Sequence, residues 1–242
     1  MNPTGASARD LARRAASAAL GWSADVAELL WPQRCPACAA PAGAERLLCE
    51  DCRAAIPRVA FSLCARCLAA GREPAGCGIH GDFQVWPAWL YDERAAAMVR
   101  AFKFEARVAL AAELARELAR ALPPARFELV IPIPLHAARR RERGYDQAGA
   151  LAEALGLALG VPCLPGALTR SRATRPQTGL DAAGRRRNLR RAFRIQRPLE
   201  MRGRRVLLVD DVITTGATFE AALAALGESG AHAVGAALAW AQ

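Results

Sequence analysis

Two adjacent aspartates, Asp210 and Asp211, follow the apolar run Val206 to Val209 and precede Val212, Ile213 and the bend Thr214-Thr215-Gly216-Ala217-Thr218. A β-branched and leucyl run ending in acids describes a buried parallel strand at its carboxyl edge. The hydroxyl-rich bend then opens an alanine-rich helix expected over residues 219–226. Strand, polar bend and helix start together make an anion cradle, because backbone N–H groups and the helix dipole converge there. Thr214, Thr215 and Thr218 add hydroxyl donors, and Gly216 lets the backbone close on the anion. The paired carboxylates just ahead can hold sugar hydroxyls or a Mg²⁺ ion. Phosphate at one end and a diol or metal at the other fits a ribose 5-phosphate. The competing reading is an ordinary strand, turn and helix with the acids as a cap.

A second kind of chemistry lies upstream. Cys35-x2-Cys38 is followed after ten residues by Cys49-x2-Cys52, and Cys64-x2-Cys67 after nine by Cys77-x2-His80. In each doublet the knuckle turns both ligands toward one metal, and two doublets complete a tetrahedron of the kind zinc prefers. The unit occurs twice, so this stretch is an internal repeat, with one or two structural Zn²⁺ ions. Spacing alone leaves an interleaved pairing of the doublets open. No open coordination position with a neighbouring base is visible. Too few apolar residues separate these ligands to fold the segment, so metal binding would supply its folding energy. Cys163 stands apart, in an apolar stretch, as an inert core thiol.

Charge is concentrated. Residues 170–205 hold thirteen arginines against Asp181 and Glu200, a balance of +11, so the rest of the chain, whose total is +10, is close to neutral. A basic segment beside a phosphate motif points to a polyanion, either pyrophosphate or nucleic acid. Lys103 is the single lysine beside thirty-two arginines, a compact point charge kept against a strong arginine bias. No run of about 18 strongly apolar residues marks a membrane span. The cytoplasm is the expected compartment.

The elements that must position these residues can be read in outline. Residues 7–31 have the pattern of an amphipathic helix ended by Pro32. A strand is expected over residues 84–91. Asp92 then caps a long helix whose stripe is Met98, Phe102, Leu110, Leu114, Leu118 and Leu122. Residues 127–134 form the next strand, with prolines limiting its pairing. A loop ending in Arg143-Gly144 leads to a helix reaching about Leu159, and residues 161–168 read as another strand. Residues 170–188 are too polar to bury themselves and read as a mobile arm. His232 to Trp240 closes the sheet. The fold class is therefore α/β: a parallel sheet flanked by helices, with a small metal-stapled N-terminal domain. The boundaries are a lead-in over 1–34, the ribbon over 35–82 and the α/β domain over 83–242.

The stretch around Asp210 resembles the phosphoribosyl-pyrophosphate (PRPP) signature of type I phosphoribosyltransferases over thirteen positions. A third acid stands at the Thr214 position in members acting on 6-oxopurines, so that substrate class is disfavoured. Nearly the whole chain is similar to the ComF family of competence-type proteins, a double zinc ribbon joined to a phosphoribosyltransferase domain. The likeness rests on the cysteine doublets, Phe102-Lys103-Phe104, Ile131 to Pro134, and Arg143 to Gln147. It continues through Arg170, Arg172, Thr174, Gln177, Arg187-Asn188, Ala192-Phe193 and the PRPP motif. His80 replaces a cysteine and Ala106 replaces a glycine of the family pattern.

What the resemblance implies is specific. Asp210 and Asp211 would hold the ribose hydroxyls, and Thr214, Thr215, Gly216, Ala217 and Thr218 the 5-phosphate. Arg143 and Gln147 would lie near pyrophosphate. Arg172, Gln177 and Arg187 would belong to a flexible lid over residues 170–188 that excludes water when closed. Lys103 and Arg143 join the two aspartates as candidate catalytic residues, and Mg²⁺ would accompany PRPP. The expected function is a PRPP-binding accessory in DNA uptake or recombination, with single-stranded DNA and uptake or recombination proteins as partners. The alternatives are transfer of phosphoribosyl from PRPP to an acceptor and PRPP sensing without turnover.

Overall fold

The computed structural model describes residues 34–42, 48–104, 108–135, 146–170 and 192–242. The expected helix over residues 7–31, Ala106, Arg143 and the lid beyond Arg170, with Arg172, Gln177 and Arg187, lie outside the described residues. The chain falls into two compact units, residues 1–54 and 55–242.

In the smaller unit the first cysteine doublet sits on a tight turn. Arg34 and Pro41 bridge antiparallel, and the Cys35 and Ala39 N–H groups donate to the carbonyls of Ala40 and Cys35 at 2.8 Å. Ala39 takes the left-handed conformation at φ 61° to close it. Cys49 leads into helix α1 (Glu50–Ala55), which begins with two acids where the dipole favours them.

The larger unit runs β1 (Leu63–Cys64), α2 (Ala65–Ala69), a single 3₁₀ turn (Gly81–Phe83), β2 (Gln84–Leu90), α3 (Glu93–Phe104), α4 (Val108–Ala121), β3 (Leu129–Pro132) and α5 (Gln147–Leu159). It continues with β4 (Leu168–Arg170), β5 (Phe193–Ile195), α6 (Pro198–Met201), β6 (Arg205–Ile213), α7 (Ala217–Glu228) and β7 (His232–Trp240). The main sheet has the order β1-β2-β7-β6-β3, and β4 and β5 form a separate antiparallel pair. All pairings among β2, β7, β6 and β3 are parallel, and β1 adds an antiparallel edge. The last two strands of the chain are thus neighbours at the centre, which explains their almost continuous burial.

One sheet face is lined by Val85, Leu129, Ile131, Val206 and Leu208 and packs on Phe219, Leu223 and Leu226 of α7. Gly235 on β7 makes that approach possible. A β-carbon there would lie 2.7 Å from the Phe219 ring and 2.8 Å from Val85, so the helix could not settle as deeply. Asp92 caps α3 as expected, its Oδ1 accepting the Ala95 N–H at 2.8 Å. Asp146 does the same for α5 through Gly149 N–H at 3.1 Å, and Gly160 at φ 69° ends that helix. The stripe of Met98, Phe102, Leu110, Leu114 and Leu118 is fully buried but is shared between α3 and α4, on either side of residues 105–107.

The strand expected over residues 161–168 is not formed. Only Cys163 bridges β3, in parallel with Val130, through Val130 N–H to the Pro162 carbonyl and Leu164 N–H to the Val130 carbonyl. Pro162 and Pro165 have no N–H to extend the ladder, and β4 starts later, at Leu168.

Candidate functional site

Strand β6 alternates its side chains between the two sheet faces. Asp211 therefore points opposite to Val206 and Leu208, toward helix α3, and there Lys103 Nζ meets its Oδ1 at 2.9 Å. Both side chains are more than four-fifths buried, so the pair is poorly screened. Asp210 occupies the other parity and its own Oδ1 accepts the Asp211 N–H at 2.8 Å. These three groups open on a cleft of about 690 Å³ also lined by Thr214, Thr218, Arg170, Tyr91, Val212, Ala241 and the strand end Ile133-Pro134-Leu135.

Beyond the acids the chain turns at Gly216, whose φ of 73° is left-handed and which stands as the N-cap of α7 without a side-chain partner. The helix begins at Ala217, two residues before the expected start, so Thr218 lies in its first turn. Its first N–H groups are free of side-chain capping at Gly216, as an anion cradle requires. Thr214 and Thr215 are exposed at the bend, Thr214 facing the cleft.

Burial first, and the Asp211 carboxylate second, push the Asp210 carboxyl up to about 8, against the pull of Lys103. The folded protein thus binds this proton more tightly than the unfolded chain does. Its contribution to stability is full below about pH 4 and is lost as pH rises to about 8. Asp210→Asn should remove that dependence and raise the Tm at pH 8 by a few degrees, the change that about 1 kcal/mol produces in a domain of this size. Thermal melts of both proteins between pH 5 and 8 test it, and parallel curves would refute it.

The other sequence-derived residues divide clearly. Lys103, Asp210, Asp211, Thr214 and Thr218 share the cleft. Gln147 does not line it: the side chain is fully buried and its Nε2 donates to the Lys103 carbonyl at 3.2 Å. It ties down the backbone at the end of α3. Tyr91 and Ala241, at the ends of β2 and β7, were not singled out by the sequence. No local signal marks them, because the pairing of Leu90 with Trp240 joins positions 150 residues apart.

Both metal quartets assemble. The ligand atoms of Cys35, Cys38, Cys49 and Cys52 lie within 4.8 Å of one another, as do those of Cys64, Cys67, Cys77 and His80. The doublets therefore pair in sequence and are not interleaved. The repeat is also visible in detail: Cys52 N–H points to Cys49 Sγ and Cys67 N–H to Cys64 Sγ, both at 3.4 Å. His80 Nδ1 is 3.6 Å from Cys64 Sγ, 3.6 Å from Cys67 Sγ and 3.5 Å from Cys77 Sγ. A tetrahedral zinc with Zn–S of about 2.3 Å and Zn–N of about 2.0–2.1 Å sets such edges at roughly 3.6–3.8 Å. The residues fit zinc, with His80 as a nitrogen ligand.

One thiol in each quartet is ready to ionise. At Cys35 burial opposes this, but backbone N–H groups outweigh it and bring the thiol to about 7. Backbone N–H groups of Ile79 and His80 hold Cys77 at about 6. Burial and then the neighbouring sulfurs raise Cys67 to about 11 and raise Cys52 as well. Crowded thiols that resist a second negative charge are what a cation relieves.

Known proteins carry the same parts. Residues 108–242 match the family model of the phosphoribosyl transferase domain, and residues 26–79 match the double zinc ribbon domain. The chain is 35% identical to the DNA utilization protein YhgH of Salmonella typhi over 186 residues, 71% of this chain and 80% of that one. It is 33% identical to Competence protein F of Haemophilus influenzae over 197 residues, 70% and 86% of the two chains. The solved allosteric regulatory enzyme of purine biosynthesis aligns at a TM-score of 0.42 and 20% identity, over 57% of this chain and 30% of that one. Among the described residues no helix is long and apolar enough to cross a membrane.

Proposed function

The chain belongs to the ComF family, a double zinc ribbon carried by a phosphoribosyl transferase domain, and from this we propose that it binds PRPP or a phosphorylated ribose and serves DNA uptake or recombination. The observation that carries the reading is the cleft at the end of β6, where a lysine-paired aspartate, a second acid and two threonines face one space. Asp210 and Asp211 would hold the ribose hydroxyls, and Gly216 to Thr218 would receive the 5-phosphate at the start of α7. Mg²⁺ would enter with the pyrophosphate and neutralise its charge. Lys103 fixes the Asp211 rotamer and lowers the repulsion between the acids.

The relatives' names, DNA utilization and competence, support the cellular role. Arg170 at the cleft and the arginine-rich segment that follows it in sequence supply the charge for a phosphate chain. Eight free cysteines fit a reducing compartment such as the cytoplasm.

Calorimetry tests this. PRPP with Mg²⁺ should bind, and a single-stranded oligonucleotide should bind with log affinity falling linearly against log salt. Absence of both would overturn the reading. Pyrophosphate release with a panel of acceptors would instead assign a transferase.

A further inference from the structure

We propose that the second metal knuckle positions the phosphate loop, so that zinc at Cys64, Cys67, Cys77 and His80 and a phosphoribosyl ligand in the cleft bind cooperatively. The proposal rests on the PRPP reading of the cleft and adds a coupling to it.

The contact is direct. Gly216 backs onto helix α2 so closely that a β-carbon would lie 2.7 Å from the Ala65 carbonyl oxygen and 3.1 Å from Leu68 Cβ. The loop conformation at φ 73° is therefore set against the α2 backbone, which has no freedom to retreat without moving its neighbours. A second tether lies one residue on. Arg66 Nε is 3.4 Å from Glu220 Oε1 in the first turn of α7, and its guanidinium lies 3.5 Å over the Phe83 ring.

What holds α2 is the metal site. Five residues are far too few for a helix to persist by itself. Its start is the ligand Cys64, whose sulfur accepts the Cys67 N–H, and Cys67 lies inside it. Ala65 and Arg66, the residues touching the loop and α7, are thus the two between the ligands. Phe83, on the far side of Arg66, comes three residues after the ligand His80. An ion drawing the four ligands together fixes both walls of the Arg66 slot and the surface under Gly216. Without it, α2 keeps only the packing of Ala65 and Leu68 on the core, and the backing of the loop loosens.

Coupling of this kind is reciprocal. In the full chain, saturating Mg²⁺-PRPP should therefore slow the loss of second-site zinc to a chromophoric chelator and tighten that site about tenfold, within the usual range of such couplings. The first quartet should not respond, and Cys38→Ser, which empties it, should leave PRPP affinity unchanged. His80→Ala should weaken PRPP binding about tenfold or more, and His80→Cys, which restores a ligand, should recover it. Should His80→Ala fail to fold, Arg66→Gln leaves every ligand in place and should reduce the PRPP effect on zinc retention. PRPP bound by the wild type with no change in zinc retention at the second site would overturn the coupling and leave the cleft reading intact. No PRPP binding by the zinc-loaded wild type would remove both.

Discussion

Asp210→Asn combined with Asp211→Asn is expected to lower the affinity for PRPP by at least about 100-fold and leave the protein folded. Each acid would hydrogen-bond ribose hydroxyls; the charged Asp211 would contribute roughly 1.5–3 kcal/mol and Asp210, largely protonated near neutral pH, about 1 kcal/mol, and together they set this scale. Folding survives because neither acid is a core support. Asp210 is held against its own preference, with its carboxyl raised to about 8, and neutralising it relieves the sheet end. The cost falls on Asp211, whose replacement leaves Lys103 with a neutral amide in place of a partner at 2.9 Å. Lys103 keeps a side chain 19% exposed to the cleft, so water can serve it. Calorimetry of the double variant, with circular dichroism as the check on folding, reads the outcome. An unchanged dissociation constant would place the ribose elsewhere.

Cys49→Ser is expected to remove one zinc per chain and to unfold the described part of the smaller unit, while the sheet of the larger one persists. Beyond one turn and the six residues of α1, the described part of this unit has little backbone structure of its own. Structural zinc contributes roughly 10–16 kcal/mol of apparent binding energy at neutral pH, far more than such a segment can draw from apolar burial. Serine offers a hydroxyl that does not ionise in this range, and the remaining three thiols would carry a distorted ion at most. Metal analysis and proteolysis between residues 35 and 52 would report the change. Full metal content with an unaltered cleavage pattern would exclude the first site as a folding element.

The two kinds of site differ in what stabilises them, and this orders the response to acid. Zinc must displace protons from crowded thiols, so both quartets lose metal as pH falls. The Asp210 proton acts with the opposite sign, its contribution to stability being largest in acid.

The sequence by itself determined whatever depends on neighbours along the chain. Cysteine-type doublets separated by two residues define a knuckle because a single turn brings both ligands to one side, and all four doublets serve as knuckles in the two quartets. The acids, the threonines and Gly216 mark a strand, a bend and a helix start because these are set by consecutive backbone angles. Capping by Asp92 was legible for the same reason.

Tertiary structure alone decided what meets across distance. It paired the doublets in order and carried Lys103 to Asp211 over more than a hundred residues. It turned Gln147 inward onto the backbone of Lys103 and placed α2 beneath Gly216. It also left residues around Cys163 without the strand that their apolar character promised, because prolines withheld the hydrogen bonds. Local patterns fix which groups an element presents. Partner choice is set by how helices settle on the sheet, a competition among many packings that no short stretch of residues encodes.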